Sequence, residues 1–227
     1  MNTNEKICFA ILPGFAVSSM PVAPVENYIR SKGYLVYSSN YWGDGKVEDF
    51  SKLSVDECIE GIHAFIQSVK AQTDHKIIGM GVSLGGALYI EYAKRYNDLD
   101  YIVSIGTPFK LKNGVPIAIA NFLIPFIKYF WRNSPDMVIL DSSGMVIDFF
   151  KGPLLKDLDK VKTPILFLHS KQDGITYFSA LIKNIPKFVN AKTHLVVFEN
   201  KDHVINYDAK AILFSISESI DMIKEEV

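Results

Sequence analysis

The sequence predicts an α/β fold: a mostly parallel sheet with helices on both faces and an inserted cap. Two observations carry that expectation. Short apolar runs alternate with amphipathic stretches along the 227 residues, the pattern of strands joined by crossover helices. The alternation breaks once, in a long segment without a clean strand.

Residues 6–12, KICFAIL, read as the first strand. A run that is apolar at nearly every position suits a strand covered on both faces. Similar runs follow at 34–38, 76–80, 101–105, 164–169 and 194–198. Ser54-Val-Asp-Glu57 reads as a capping box, in which Ser54 accepts from a backbone N–H and Glu57 reaches back. The helix it starts gathers Val55, Cys58, Ile59, Ile62, Phe65, Ile66 and Val69 on one face, opposite Glu60, His63, Gln67 and Lys70. A second amphipathic helix carries Ala87, Leu88, Ile90, Glu91 and Tyr92. After Gly106-Thr-Pro108 the rhythm stops, and it resumes at Val161. An insertion of that length in a domain of ordinary size is usually functional or separately folded, and residues 109–155 are read as a cap within a single domain spanning 1–227.

Composition excludes several classes of function. Hydrophobic residues at 48% and charged residues at 22% describe a globular chain rather than a disordered one. A net charge of −1, without a block of like charges, argues against nucleic acid as a partner. Residues 1–6 are polar and show no apolar leader. Cys8 and Cys58 sit in apolar patterns and read as buried thiols, so a reducing cytoplasm is expected. The apolar stretch 115–131 is broken by Pro116, Pro125 and Lys128. A membrane span needs about 20 apolar residues, so this stretch is read as folded protein, with contact at a membrane surface as the lesser alternative. Oligomeric state is not encoded in these patterns.

The chemistry concentrates in residues 76–93, KIIGMGVSLGGALYIEYA. An apolar strand leads into Gly81-Val-Ser83-Leu-Gly85, and an amphipathic helix follows. G-x-S-x-G at a strand-to-helix junction is the nucleophile elbow. The serine must sit on a sharp turn for its hydroxyl to clear the sheet, and the turn leaves no room for side chains at the flanking glycines. A helix starting behind Ser83 aims its dipole and free N–H groups at the reaction centre. No phosphate-binding glycine loop or metal-ligand cluster is visible, so neither cofactor nor metal is expected.

With these motifs the chain resembles the α/β-hydrolase family, particularly its small carboxylesterases and monoacylglycerol-lipase-like members. The resemblance spans nearly the whole chain: the turn after the first strand, the elbow, Gly106-Thr-Pro108, and two late loops. It implies an α/β-hydrolase fold and a serine hydrolase that works through a triad in the chain order serine, acid, histidine. Five histidines compete for the last place. His63 lies on a polar helix stripe, His75 and His194 start strands, and His169 precedes the best acid. His203, in Glu199-Asn-Lys-Asp-His203, resembles the family's histidine loop. Asp173, in His169-Ser-Lys-Gln-Asp173-Gly174, resembles its acid turn. Asp202 adjoins the histidine it would have to orient, and Asp141 and Asp148 fall in the insertion.

The resemblance also implies an oxyanion hole made by the backbone N–H groups of Leu84 and Phe15. Where the esterases carry His-Gly after the first strand, this chain has Pro13-Gly14. The glycine stays and a side-chain anchor goes. Phe126, Phe130 and Trp131, with Ile117, Phe122 and Tyr129, are expected to roof an acyl pocket. The expected activity is hydrolysis of small to medium carboxylic esters, with an ester as the small-molecule partner. A thioesterase with the same triad and a non-catalytic ligand-binding hydrolase fold stand as alternatives.

Overall fold

Strands that are apolar on both faces need cover on both faces, and the chain meets that need by sending alternate residues to two separate cores. The computed structural model describes residues 6–14, 22–40, 54–110, 156–199, 203 and 210–217. Six strands form one sheet in the order β2-β1-β3-β4-β5-β6, and each adjacent pair is parallel. They are β1 (Ile7–Leu12), β2 (Leu35–Ser38), β3 (Lys76–Val82), β4 (Tyr101–Ile105), β5 (Ile165–Ser170) and β6 (Thr193–Phe198). The third runs to Val82, two residues past the run predicted from the sequence, and so delivers its last residue directly to Ser83.

The helices are α1 (Val22–Ser31), α2 (Val55–Lys70), α3 (Leu84–Arg95), α4 (Phe178–Asn184) and α5 (residues 210–217). On β1, Cys8, Ala10 and Leu12 face the core built with α2, α3 and α4, whereas Ile7, Phe9 and Ile11 face the core built with α1 and α5. The period-two alternation of a strand therefore supplies both layers from one apolar run. Helix α2 forms where its capping box predicts: the Ser54 side chain accepts from Glu57 N–H, and the Glu57 carboxylate accepts from Ser54 N–H at 2.6 Å. Its apolar face, Cys58 to Val69, is buried as the 3.6-residue period requires. Cys8 and Cys58 are free and fully buried. Burial pushes their thiols up to about 11 and about 12, so both remain protonated and inert at neutral pH.

The connectivity fixes where chemistry can occur. From β1 the chain steps outward to β2, then crosses back over β1 to β3 and proceeds the other way. The loops after β1 and β3 therefore part at the carboxyl edge, which creates the crevice where open α/β sheets bind ligands. The expected cap lies outside the described residues from 111 onward. Phe109, at its start, is 2% exposed and packs edge-on against Phe167 and Phe188 as part of the main core. Among the described residues, no helix is long and apolar enough to cross a membrane.

One buried hydrogen bond ties the elbow helix to the sheet: the Tyr89 hydroxyl on α3 donates to the Ala10 carbonyl of β1 at 2.9 Å. Tyr89→Phe keeps the ring and leaves one acceptor short of a donor. It should lower stability by about 1 kcal/mol, read as a lower urea midpoint with an unchanged slope.

Candidate active site

Because the sheet is parallel throughout, the loops that leave the carboxyl ends of β1, β3, β4, β5 and β6 all open on one edge. Ser83 occupies the turn between β3 and α3 with φ 50° and ψ −113°, a left-handed backbone that a non-glycine residue enters only when its surroundings force it. The surroundings are close. A Cβ on Gly81 would lie 2.3 Å from the Gly86 nitrogen, and one on Gly85 would lie 2.6 Å from the carbonyl oxygens of Leu12 and Pro13. Glycine before the serine thus lets the turn close on itself, and glycine after it lets α3 start against the end of β1. The Ser83 N–H donates to the Ile105 carbonyl at 2.7 Å, which clamps the turn to β4.

Three side chains that are 30 and 120 residues apart in sequence meet at this edge. His203 Nε2 lies 3.0 Å from Ser83 Oγ, and His203 Nδ1 lies 2.7 Å from Asp173 Oδ2. A carboxylate only accepts, so Nδ1 carries the proton and Nε2 is left to face the serine hydroxyl. Asp173 is fully buried. Its Oδ1 accepts from the backbone N–H groups of Ile175 and Thr176, each at 2.8 Å. Burial by itself would raise the Asp173 pKa. The hydrogen bonds from His203 and Thr176 outweigh it and hold the carboxyl well below the usual carboxylate range.

Leu84 opens α3 directly after the serine, so its N–H belongs to the unsatisfied first turn of a helix. Phe15, the other expected donor, lies outside the described residues, as do Phe126, Phe130, Trp131, Asp141, Asp148 and Asp202. The loop that leads to Phe15 does reach the serine: Gly14 is buried, and a Cβ there would sit 3.3 Å from the Ser83 Cβ. The remaining histidines lie elsewhere or serve another group. His63 stacks on Tyr96 with ring centroids 4.0 Å apart, and His75 and His194 sit at the amino-terminal ends of β3 and β6. Among the described residues, no group of three or more His, Cys, Asp or Glu is placed to hold a metal ion.

Two contributors to the site were not assigned a role from the sequence. Gly106 has φ +58°, and a Cβ there would lie 2.4 Å from the His203 carbonyl oxygen. The glycine of Gly106-Thr-Pro108 therefore gives the histidine loop its seat. The Gly-Thr-Pro signal was visible in the sequence, but its meaning depends on a residue about a hundred positions later. His169, read only as a rejected candidate, lies buried beside Asp173.

Comparison with known proteins agrees with this architecture. The family model described as serine aminopeptidase, S33, matches residues 3–145, more than half of the chain. The chain belongs to this α/β-hydrolase family. The match includes Ser83 and stops before Asp173 and His203. No curated protein matches the sequence. Among solved structures, a monoacylglycerol lipase of Paleococcus ferrophilus is similar, with TM-score 0.69 and 18% identity over 92% of this chain and 94% of that one. An esterase of Exiguobacterium antarcticum gives TM-score 0.71 and 17% identity over 97% and 92%. Est1E of Butyrivibrio proteoclasticus, solved with ferulic acid bound, gives TM-score 0.60 and 18% identity over 98% and 90%. At such identities the likeness establishes the fold that this family member shares with them.

The depressed Asp173 carboxyl makes a prediction for stability. Its ordinary value is about 3.9, and the folded state lies below that. The ionised form therefore stabilises the fold fully above the ordinary value, and that stabilisation is lost as pH falls toward the folded one. The stability advantage of the native chain over Asp173→Asn should accordingly shrink between about pH 5 and pH 2, measured by urea unfolding at stepped pH.

Proposed function

We propose that this hydrolase cleaves carboxylic esters of small to medium acyl chains through an acyl-enzyme on Ser83. The observation that carries the reading is the continuous hydrogen-bonded chain from Ser83 Oγ through the His203 ring to Asp173, standing in the crevice where the strand order reverses. His203 Nε2 takes the hydroxyl proton as Ser83 Oγ attacks the ester carbonyl carbon. Asp173 accepts the hydrogen bond from Nδ1–H throughout and stabilises the imidazolium that attack creates. The Leu84 N–H, at the positive end of α3, supports the developing oxyanion, with the Phe15 N–H as its partner. The C–O bond then breaks, and the departing alkoxide takes the proton from Nε2. A water molecule repeats the sequence against the acyl-enzyme, and Ser83 regains its proton.

Monoacylglycerol lipase and esterase among the structural relatives support ester substrates over amides. The family's own description names an aminopeptidase, which gives a second reading of the same nucleophile. A thioester substrate would also suit this machinery. One panel separates all three: p-nitrophenyl esters of increasing chain length, acyl-CoA thioesters, and aminoacyl p-nitroanilides. Preference for the anilides would replace the ester reading.

A fluorophosphonate probe should label Ser83, and Ser83→Ala should abolish labelling. An adduct mapped to Ser18, Ser170 or another serine would sink the assignment. Asp173→Asn should lower kcat at least about 10²-fold at neutral pH, against roughly 10⁴-fold for the same change in a well-studied triad. Asp202→Asn should cost less than about tenfold, as expected of an acid adjacent in sequence to the histidine it would have to orient.

We further propose that Phe126, Phe130 and Trp131 of the 109–155 insertion roof the acyl pocket. Alanine at these positions should then shift chain-length preference while sparing acetate esters. Uniform loss on every chain length, with a lower melting temperature, would make them ordinary core residues.

A further inference from the structure

A second histidine stands behind the triad acid. His169 is 1% exposed near the carboxyl end of β5, and its Nε2 lies 3.8 Å from Asp173 Oδ2. Its Nδ1 lies 2.9 Å from the Ser170 carbonyl. A carbonyl only accepts, so Nδ1 carries the proton and donates to it. The Thr176 hydroxyl is hydrogen-bonded to Nε2 at 3.0 Å, and the Thr176 side chain also hydrogen-bonds the Asp173 carboxylate. Thr176 is 1% exposed, so its hydroxyl depends on such a partner inside the protein.

Both ends of this ring are tied to the turn that presents the acid. The Ser170 carbonyl that His169 holds also accepts from Asp173 N–H at 3.4 Å. The Thr176 whose hydroxyl His169 holds gives its own backbone N–H to Asp173 Oδ1 at 2.8 Å. With Oδ1 fixed by the amides of Ile175 and Thr176, the rotation of the carboxylate is set, and Oδ2 is aimed at His203 Nδ1.

We infer that His169 is a positioning residue for the triad acid: hydrogen-bonded through Nε2 to the Thr176 hydroxyl while donating from Nδ1 to Ser170, it fixes the 170–176 turn in the form that points Asp173 Oδ2 at His203. The inference rests on the triad reading above. It adds that the aim of the acid depends on the His169–Thr176 hydrogen bond and not only on packing. A displacement of about 1 Å at such a group is enough to cost catalysis up to about 10²-fold.

The test reads the Asp173–His203 hydrogen bond without substrate, then reads catalysis. In the full-length ¹⁵N-labelled protein, the His203 Nδ1 proton should give a low-field resonance. Thr176→Val keeps the backbone amide and the branched shape but removes the hydroxyl, and should move that resonance upfield. On a short aryl ester it should lower kcat roughly tenfold while leaving KM within about twofold, and it should slow fluorophosphonate labelling of Ser83 by a similar factor. His169→Leu should act alike through the His169–Thr176 bond alone, and the double variant should be little worse than Thr176→Val, which loses that bond together with the Thr176 side-chain hydrogen bond to Asp173. His169→Gln, whose amide can still hydrogen-bond Thr176, should recover most of the loss of His169→Leu.

A Thr176→Val protein with an unchanged resonance and unchanged labelling rate would overturn the inference and leave the ester reading standing. Additive losses in the double variant, or losses that only follow the melting temperature, would overturn it as well. Should the native chain turn over no ester, the resonance still decides, since it needs none. If the native chain shows no low-field proton, the Asp173–His203 bond itself is refuted and the inference falls with it.

Discussion

A carboxylate with no exposure to water must be surrounded by donors, and much of this molecule's active edge is arranged to satisfy that requirement for Asp173. Two backbone amides from its own turn meet Oδ1, and the ring of His203 meets Oδ2. The first pair is local and forms when the turn forms. The His203 ring arrives from beyond β6, so that hydrogen bond forms only once the last strand has docked on β5. Removing any one donor leaves charge in a low-dielectric setting, where it is costly.

A related tension exists at the serine. The backbone of Ser83 is held in a region that costs about 1–3 kcal/mol for a non-glycine residue. That strain is sustained by rigid neighbours on three sides: the Ile105 carbonyl that takes its N–H, the end of β1 pressed against Gly85, and α3 anchored through Tyr89 to Ala10. Each is a main-chain feature of the sheet or is bonded to one. The hydroxyl therefore projects from a platform that cannot relax without loss of strand pairing, while the ring that faces it comes from a loop seated on Gly106. A rigidly held serine and a histidine whose loop sits on Gly106 divide the geometry between sheet and loops.

The sequence by itself determined a good deal. Apolar runs alternating with amphipathic helices made the parallel sheet legible, since a strand buried on both faces must be apolar at successive positions. The capping box at Ser54 and Glu57 was legible because it involves residues three apart. The elbow was legible because its steric demand falls within five residues, Gly81 to Gly85.

Tertiary structure alone decided the rest. The family resemblance singles out Asp173 and His203, but their meeting depends on strand order, and β3-β4-β5-β6 lie side by side only because the crossovers run that way. Nothing near Gly106 in sequence reveals that the His203 carbonyl occupies the space its Cβ would take. His169 looked like a triad candidate out of order, because its partners, Ser170 and Thr176, make sense only once the chain has turned back to bury Asp173 between them and His203. Local sterics and periodicity act over a few residues and leave their mark on composition. Contacts that close a site across 120 residues are formed by the fold, and one residue letter does not record them.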